Sequence, residues 1–189
     1  MKKIITLLCF LTAVSVCRLS AQTDADMKAW QNYMTPGEVH KMLAQSDGEW
    51  NEEITMWMDA GMPPTKSTAT SKNEMIMGGR YQLSKTTGTM MGMPFEGMSL
   101  MGYDNAKKVF TSTWVDNFGT GTMTMEGAWD DKTKSITLKG KAIDPMTGKD
   151  TWVRQVIKFI DDNTQEIEMY DTKDGKETKS IEMKLTRKK

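Results

Sequence analysis

The chain has 189 residues, a length for one domain or at most two. Hydrophobic residues make up 38% and charged residues 26%, the balance of a soluble globular protein and too apolar for a disordered one. Lys plus Arg and Asp plus Glu are 25 each, which excludes a nucleic-acid binder driven by net charge, and one His with two Cys excludes most nucleophilic and zinc chemistry.

Residues 1–21 read as a secretory signal peptide. Lys2 and Lys3 give the positive start, and residues 4–16 form an apolar run too short to span a membrane. Leu19-Ser20-Ala21 supplies small residues for cleavage before Gln22. The rival is lipidation of Cys17, but Val16 is a poor residue at the position before it. Cleavage after Ala21 removes Lys2, Lys3 and Arg18 and no acid, leaving a net charge of −3. It also removes Cys9 and Cys17, so the expected periplasmic or secreted product carries no thiol.

Residues 22–34 are polar with scattered aromatics. Thr35-Pro36-Gly37-Glu38 then predicts a helix start: Thr35 as cap, Pro36 in the first turn, Glu38 completing a capping box. Val39, Met42 and Leu43 make one apolar stripe on this short helix. From Gly48 the period becomes two. Ten strands are expected, at 49–59, 65–77, 79–88, 94–104, 108–116, 121–130, 134–143, 150–160, 164–171 and 177–187. Turn residues separate them and no break can hold a crossover helix, so the strands must be antiparallel neighbours. Ten short strands need their edges closed, which predicts an all-β up-and-down barrel over 48–189, capped by the short helix in the segment 22–47. Alternation places Trp50, Ile54, Met56 and Met58 on one face of the first strand and Phe110, Trp114 and Asp116 on one face of the fifth.

A capping helix, Gly48-Glu49-Trp50 opening the first strand and Arg187 closing the last resemble the calycin superfamily, the lipocalins and fatty-acid-binding proteins. That resemblance implies that Trp50 and Arg187 pack together where the barrel closes. The ordered string Pro36-Gly37-x-x-His40, Gly48-x-Trp50, Gly79-Arg80, Pro94-Phe95-Glu96-Gly97, Gly102-Tyr103-Asp104, Trp114-x-Asp116, Gly127, Asp144-Pro145-x-Thr147-Gly148 and Thr186-Arg187 is similar to bacterial domain-of-unknown-function family 1579. It implies a calycin-like barrel and no activity.

The candidate chemistry is sparse. Four Met-x-Met pairs occur among 19 methionines: Met56/Met58, Met75/Met77, Met91/Met93 and Met123/Met125. Thioethers are soft Cu(I) ligands, but methionine more simply lines an adaptable apolar pocket. The expected ligand lining is Met56, Met58, Met75, Met77, Phe110, Trp114, Asp116, Met123 and Met125. His40, Arg80 and Glu96 form a possible polar site. A haem reading needs His40 to fold over the barrel mouth. An enzyme reading, isomerase or hydrolase, needs an inward Asp or Glu paired with Arg, and the same pair would anchor an anionic headgroup. Asp116 has a plainer alternative, a tie to the backbone of residues 117–119. No catalytic residue, metal or cofactor is assigned; the leading expectation is a small apolar or amphipathic ligand, with a filled, ligand-free barrel as the structural alternative. N-terminal sequencing of the protein from its own host is expected to begin at Gln22, whereas a chain starting at a lipidated Cys17 would overturn the cleavage site.

Overall fold

The computed structural model describes residues 23–58 and 62–189. The leader read at residues 1–21 lies outside the described residues. Tyr33–Lys189 is one compact unit, and most of the first helix belongs to the unit that precedes it. Two helices come first, α1 (Asp24–Met34) and α2 (Glu38–Ala44). Ten strands follow: β1 (Gly48–Met56), β2 (Thr65–Ile76), β3 (Tyr81–Met90), β4 (Met93–Asp104), β5 (Val109–Asp116), β6 (Met123–Asp130), β7 (Ser135–Asp144), β8 (Lys149–Asp161), β9 (Thr164–Lys173) and β10 (Lys176–Arg187). Each pairs antiparallel with the next, and β1 pairs with β10, so the sheet is a closed up-and-down barrel.

The helical region departs from expectation in two ways. Residues 24–34 are helical, although they bury nothing; their apolar stripe, Met27, Trp30 and Met34, is exposed. The second helix is capped by Gly37 rather than Thr35. The Gly37 N–H donates to His40 Nδ1 at 3.0 Å, so His40 fills the place that Glu or Gln holds in a capping box. The Pro-Gly-x-x-His string is therefore a helix-start device.

The odd-numbered strands run from the α2 end, the floor, to the other end, the mouth, and the even-numbered strands run back. Leu43 of α2 is buried against Phe110, Met125, Ile136 and Leu138, which makes the short helix a plug on the floor. Burying a leucine of this kind contributes about 1.5–3 kcal/mol. The outer faces of β1 and β2 carry Glu49, Asn51, Glu53, Lys66, Thr68, Thr70 and Lys72. Strands β4 and β8, whose inner faces the sequence leaves ambiguous, turn Phe95, Ser99 and Met101, and Val153 and Ile157, inward; Leu100 and Trp152 lie outside and exposed.

The seam joins β1 to β10 with Trp50 opposite Arg187. Trp50 is fully buried, and the Arg187 guanidinium lies 4.3 Å from the centre of its ring. The same guanidinium donates to the carbonyls of Gln45, Asp47 and Asp162. Gly48 has φ +121°, and a Cβ there would stand 3.0 Å from an Arg187 amino nitrogen, so glycine serves both the backbone turn and the arginine's approach. Lysine cannot reproduce a planar group that stacks and donates in three directions. Arg187→Lys is expected to cost about 1–3 kcal/mol in denaturant unfolding, from the lost stack and the unpaired carbonyls. Lys184→Arg, on the outer face of the same strand, is the comparison and should change little.

Candidate functional site

The plug does not fill the barrel. A cavity of about 740 Å³ runs from Leu43 and Ser46 at the floor to the exposed Phe118 and Ile143 at the mouth. Its two walls differ. On the β2–β5 side the inward register aligns Asn73, Ser84 and Ser99 across neighbouring strands, with Thr86 and Ser112 beside them. On the β8–β10 side Gln155 and Gln165 stand among Ile157, Phe159, Ile167, Met169, Ile181 and Met183. Alternation is interrupted on this side by register shifts at Phe159/Asp161 and Lys179/Ile181.

Of the residues expected to line a ligand, Trp114, Asp116 and Met123 border this cavity. Phe110 and Met125 are buried core residues under the plug, and Met75 packs on that core. Met56 is buried beside Ile54 and Ala69 and does not border the cavity. Met58 and Met77 point to solvent, at 62% and 68% exposure, because β1 ends at Met56 and Met77 sits in the β2–β3 turn with φ +50°. The Met-x-Met pairs at 56/58 and 75/77 are thus split between interior and surface. Met91 and Met93 are exposed at the β3–β4 turn.

Of the possible polar site, Arg80 lies near enough to His40 to disfavour its charged form. His40 is buried on the plug, with its ring edge-on to Tyr103 at 6.0 Å, and does not border the cavity. Burial holds its pKa below the usual histidine value, the Tyr103 carbonyl opposes this, and a neutral ring is what an accepting Nδ1 requires. Arg80 is exposed and donates to the carbonyls of Met34 and Met77. The Glu96 side chain is exposed on the outer face; only its backbone is engaged, with Asn117.

Asp116 borders the cavity, but its acceptors are occupied. One oxygen accepts from Trp114 Nε1 at 2.7 Å and the other from the backbone N–H groups of Phe118 and Gly119. Trp129 and Asp131 repeat this tie. Trp114 stacks on Phe95 across Gly97, where a Cβ would stand 2.4 Å from the indole. No Arg, Lys or His lines the cavity among the described residues, so the inward carboxylate–arginine pair does not form there. Arg154 instead pairs with Glu177 toward solvent and covers the Tyr170 ring. Turn duty also explains Asp144 and Thr147, which bond each other and the backbone of their loop.

The residue that sequence reading passed over is Glu52. It shares the inward parity of Trp50, Ile54 and Met56, is 6% exposed and borders the cavity. No ion pair or hydrogen bond of normal geometry engages it among the described residues. Ser71 comes close enough to favour the charged form without making a well-formed hydrogen bond. Farther along β2, Asn73 donates its amide nitrogen to the Ser46 carbonyl at 3.1 Å, which leaves its buried Oδ1 without a donor.

Burial pushes the Glu52 carboxyl above the ordinary carboxylate range, and Ser71 offsets this only in part. The folded protein therefore holds that proton more tightly than the unfolded chain, and Glu52 lowers stability as pH rises through and above the ordinary value. Glu52→Gln is expected to raise unfolding stability by about 1–3 kcal/mol near pH 7–8 and to change little near pH 4. Asp171, raised by the same cause, leaves a residual slope of the same sign. Glu168 works the other way: Lys179 and Lys158 hold it at about 2, so its contribution is present above the ordinary value and fades as pH falls toward 2. Urea unfolding of both proteins across pH 4–8 checks the difference.

None of the curated proteins matches the chain. Among solved structures, the chain is similar to the crystal structure of Rv2717c from M. tuberculosis, at 12% identity and a TM-score of 0.62, over 82% of this chain and 100% of that one. At that identity the likeness is one of fold. The family described as "Protein of unknown function (DUF1579)" matches residues 35–187, from the start of the plug to the arginine of the seam, and this chain belongs to it.

Proposed function

We propose that this chain is an exported, non-enzymatic binding protein that holds one small amphipathic molecule inside its barrel. The observation that carries the reading is the cavity: about 740 Å³, within the 300–1,000 Å³ of small-molecule pockets, with apolar side chains on every side and hydroxyls gathered toward β3–β5. A barrel serving only as a structural domain would fill this space, since a void forfeits the packing that stabilises a core. The ties of Asp116 to Trp114 and its loop argue against a poised general acid or base at the mouth. The leader read at residues 1–21 supports export.

Nile red, an uncharged apolar fluorophore, is the probe. Wild type is expected to bind it with a blue shift, and Ile167→Trp, which projects an indole into the cavity, should weaken binding about tenfold or more. Equal binding by both proteins, or none by wild type, would count against an internal site. Native mass spectrometry of the protein from its own host should show a bound mass that Ile167→Trp lacks.

A further inference from the structure

We propose that Glu52 is the recognition group of the cavity and that the ligand class is an amphipathic amine, its ammonium group seated on this carboxylate. The proposal rests on the barrel being a small-molecule binder and specifies what that binder selects.

Three observations carry it. First, the cavity has ionisable lining of one sign. Glu52 and Asp116 border it, and no Lys, Arg or His does among the described residues. An anionic headgroup would meet two carboxylates and no cation, whereas a cation meets its complement. Second, the two acids differ. Asp116 is committed to three donors at the mouth, whereas Glu52 lies deep between the plug and Ile54, with no counter-charge. Arg187, diagonal to Glu52 across the seam, is committed to the carbonyls of Gln45, Asp47 and Asp162. Third, the neighbouring strand brings Glu52 no charge. Ser67 and Ser71 stand diagonal to it on the inward face of β2, and neither hydroxyl makes a hydrogen bond of normal geometry. Hydroxyls beside a buried carboxylate leave its charge uncompensated, and a cationic group supplies what is missing. An ammonium brings three N–H groups and no acceptor. The apolar remainder of such a ligand has Ile54, Ile181 and Met183 beside Glu52, on the same or the adjoining strand.

The mode of binding is non-covalent. The carboxylate–ammonium contact gains strength from the low dielectric of a closed pocket, and the aliphatic tail excludes water from it.

The test compares three probes of one chain length, decylamine, decanol and decanoate, in displacing Nile red at neutral pH. Wild type is expected to prefer decylamine to decanol by about tenfold or more, and to bind decanoate most weakly. Glu52→Gln should abolish the preference for the amine over the alcohol. Glu52→Asp should keep part of the preference, and the exposed Glu49→Gln should keep all of it. Equal affinity for the three probes would overturn the role of Glu52 and leave the internal site standing. So would an amine preference that survives Glu52→Gln, or decanoate binding as tightly as decylamine. Failure of every probe, Nile red included, would overturn the binding reading itself. If Glu52→Gln does not fold, the ranking of the three headgroups by wild type decides alone.

Discussion

The last carbonyls of a helix have no partner within it. At the end of the plug the backbone N–H groups of Gln45, Ser46 and Asp47 turn back on Met42, Leu43 and Ala44, and side chains of the surrounding sheet meet the carbonyls of Leu43 and of the three residues that follow the helix. Leu43 is bonded by Gln82 Nε2, Gln45 by Arg187, Ser46 by both Trp50 Nε1 and Asn73 Nδ2, and Asp47 by Arg187. The Ser46 hydroxyl accepts from Gln165 Nε2 as well. Five strands (β1, β2, β3, β9 and β10) therefore converge on four residues of chain. That convergence fixes the plug, and because Trp50 and Arg187 belong to it, it also fixes the seam at which the barrel closes.

The convergence has a consequence for the interior. Donors to the plug must point inward, so the floor ends of β1–β3 carry polar residues where a packed barrel would carry aliphatic ones. The core shifts to the other side, where Leu43 meets Phe110, Ile136 and Leu138. What remains is a space that neither the plug nor the core occupies, in which the plug's donors Asn73, Gln82 and Gln165 stand among apolar side chains.

The strands were legible because the two requirements of a hairpin, period-two alternation and turn residues, are both local. The closed sheet followed from the lack of any crossover, and the floor pair from Gly48-x-Trp50 and Arg187 lying in phase. What was hidden has a common cause. A reading that follows apolar residues finds the inward face only where that face is apolar. In β1 it connects Trp50, Ile54 and Met56 and steps over Glu52, which has the same parity. In β2 and β3 it passes over Ser71, Asn73, Gln82 and Thr86, although all four are buried. Met58 and Met77 show the opposite error, since alternation was carried past the strand end. Helix α1 was missed because Met27, Trp30 and Met34, three residues at helical spacing, are few among polar neighbours, and His40 was read as a site residue because a histidine that closes a capping box looks, in sequence, like any other.

The residues that mark the family and the residues that furnish the cavity are largely different sets. His40 starts the plug, Gly48, Trp50 and Arg187 close the seam, Gly97 admits Trp114, and Asp116 and Asp144 hold turns. Each can be accounted for by a bond or contact that the fold needs. Glu52 cannot. No bond of the plug, the seam or the turns runs through it, and its burial without a counter-charge works against folding. Glutamine or an aliphatic residue at this position would leave the barrel's bonding intact. A sequence that agrees with its fold at so many other points departs from it here, facing an open cavity with no counter-charge. Departures of that kind are expected where a site has to wait for its ligand. The carboxyl is then the half of an interaction that the protein supplies, and the shape and sign of the space around it describe the other half.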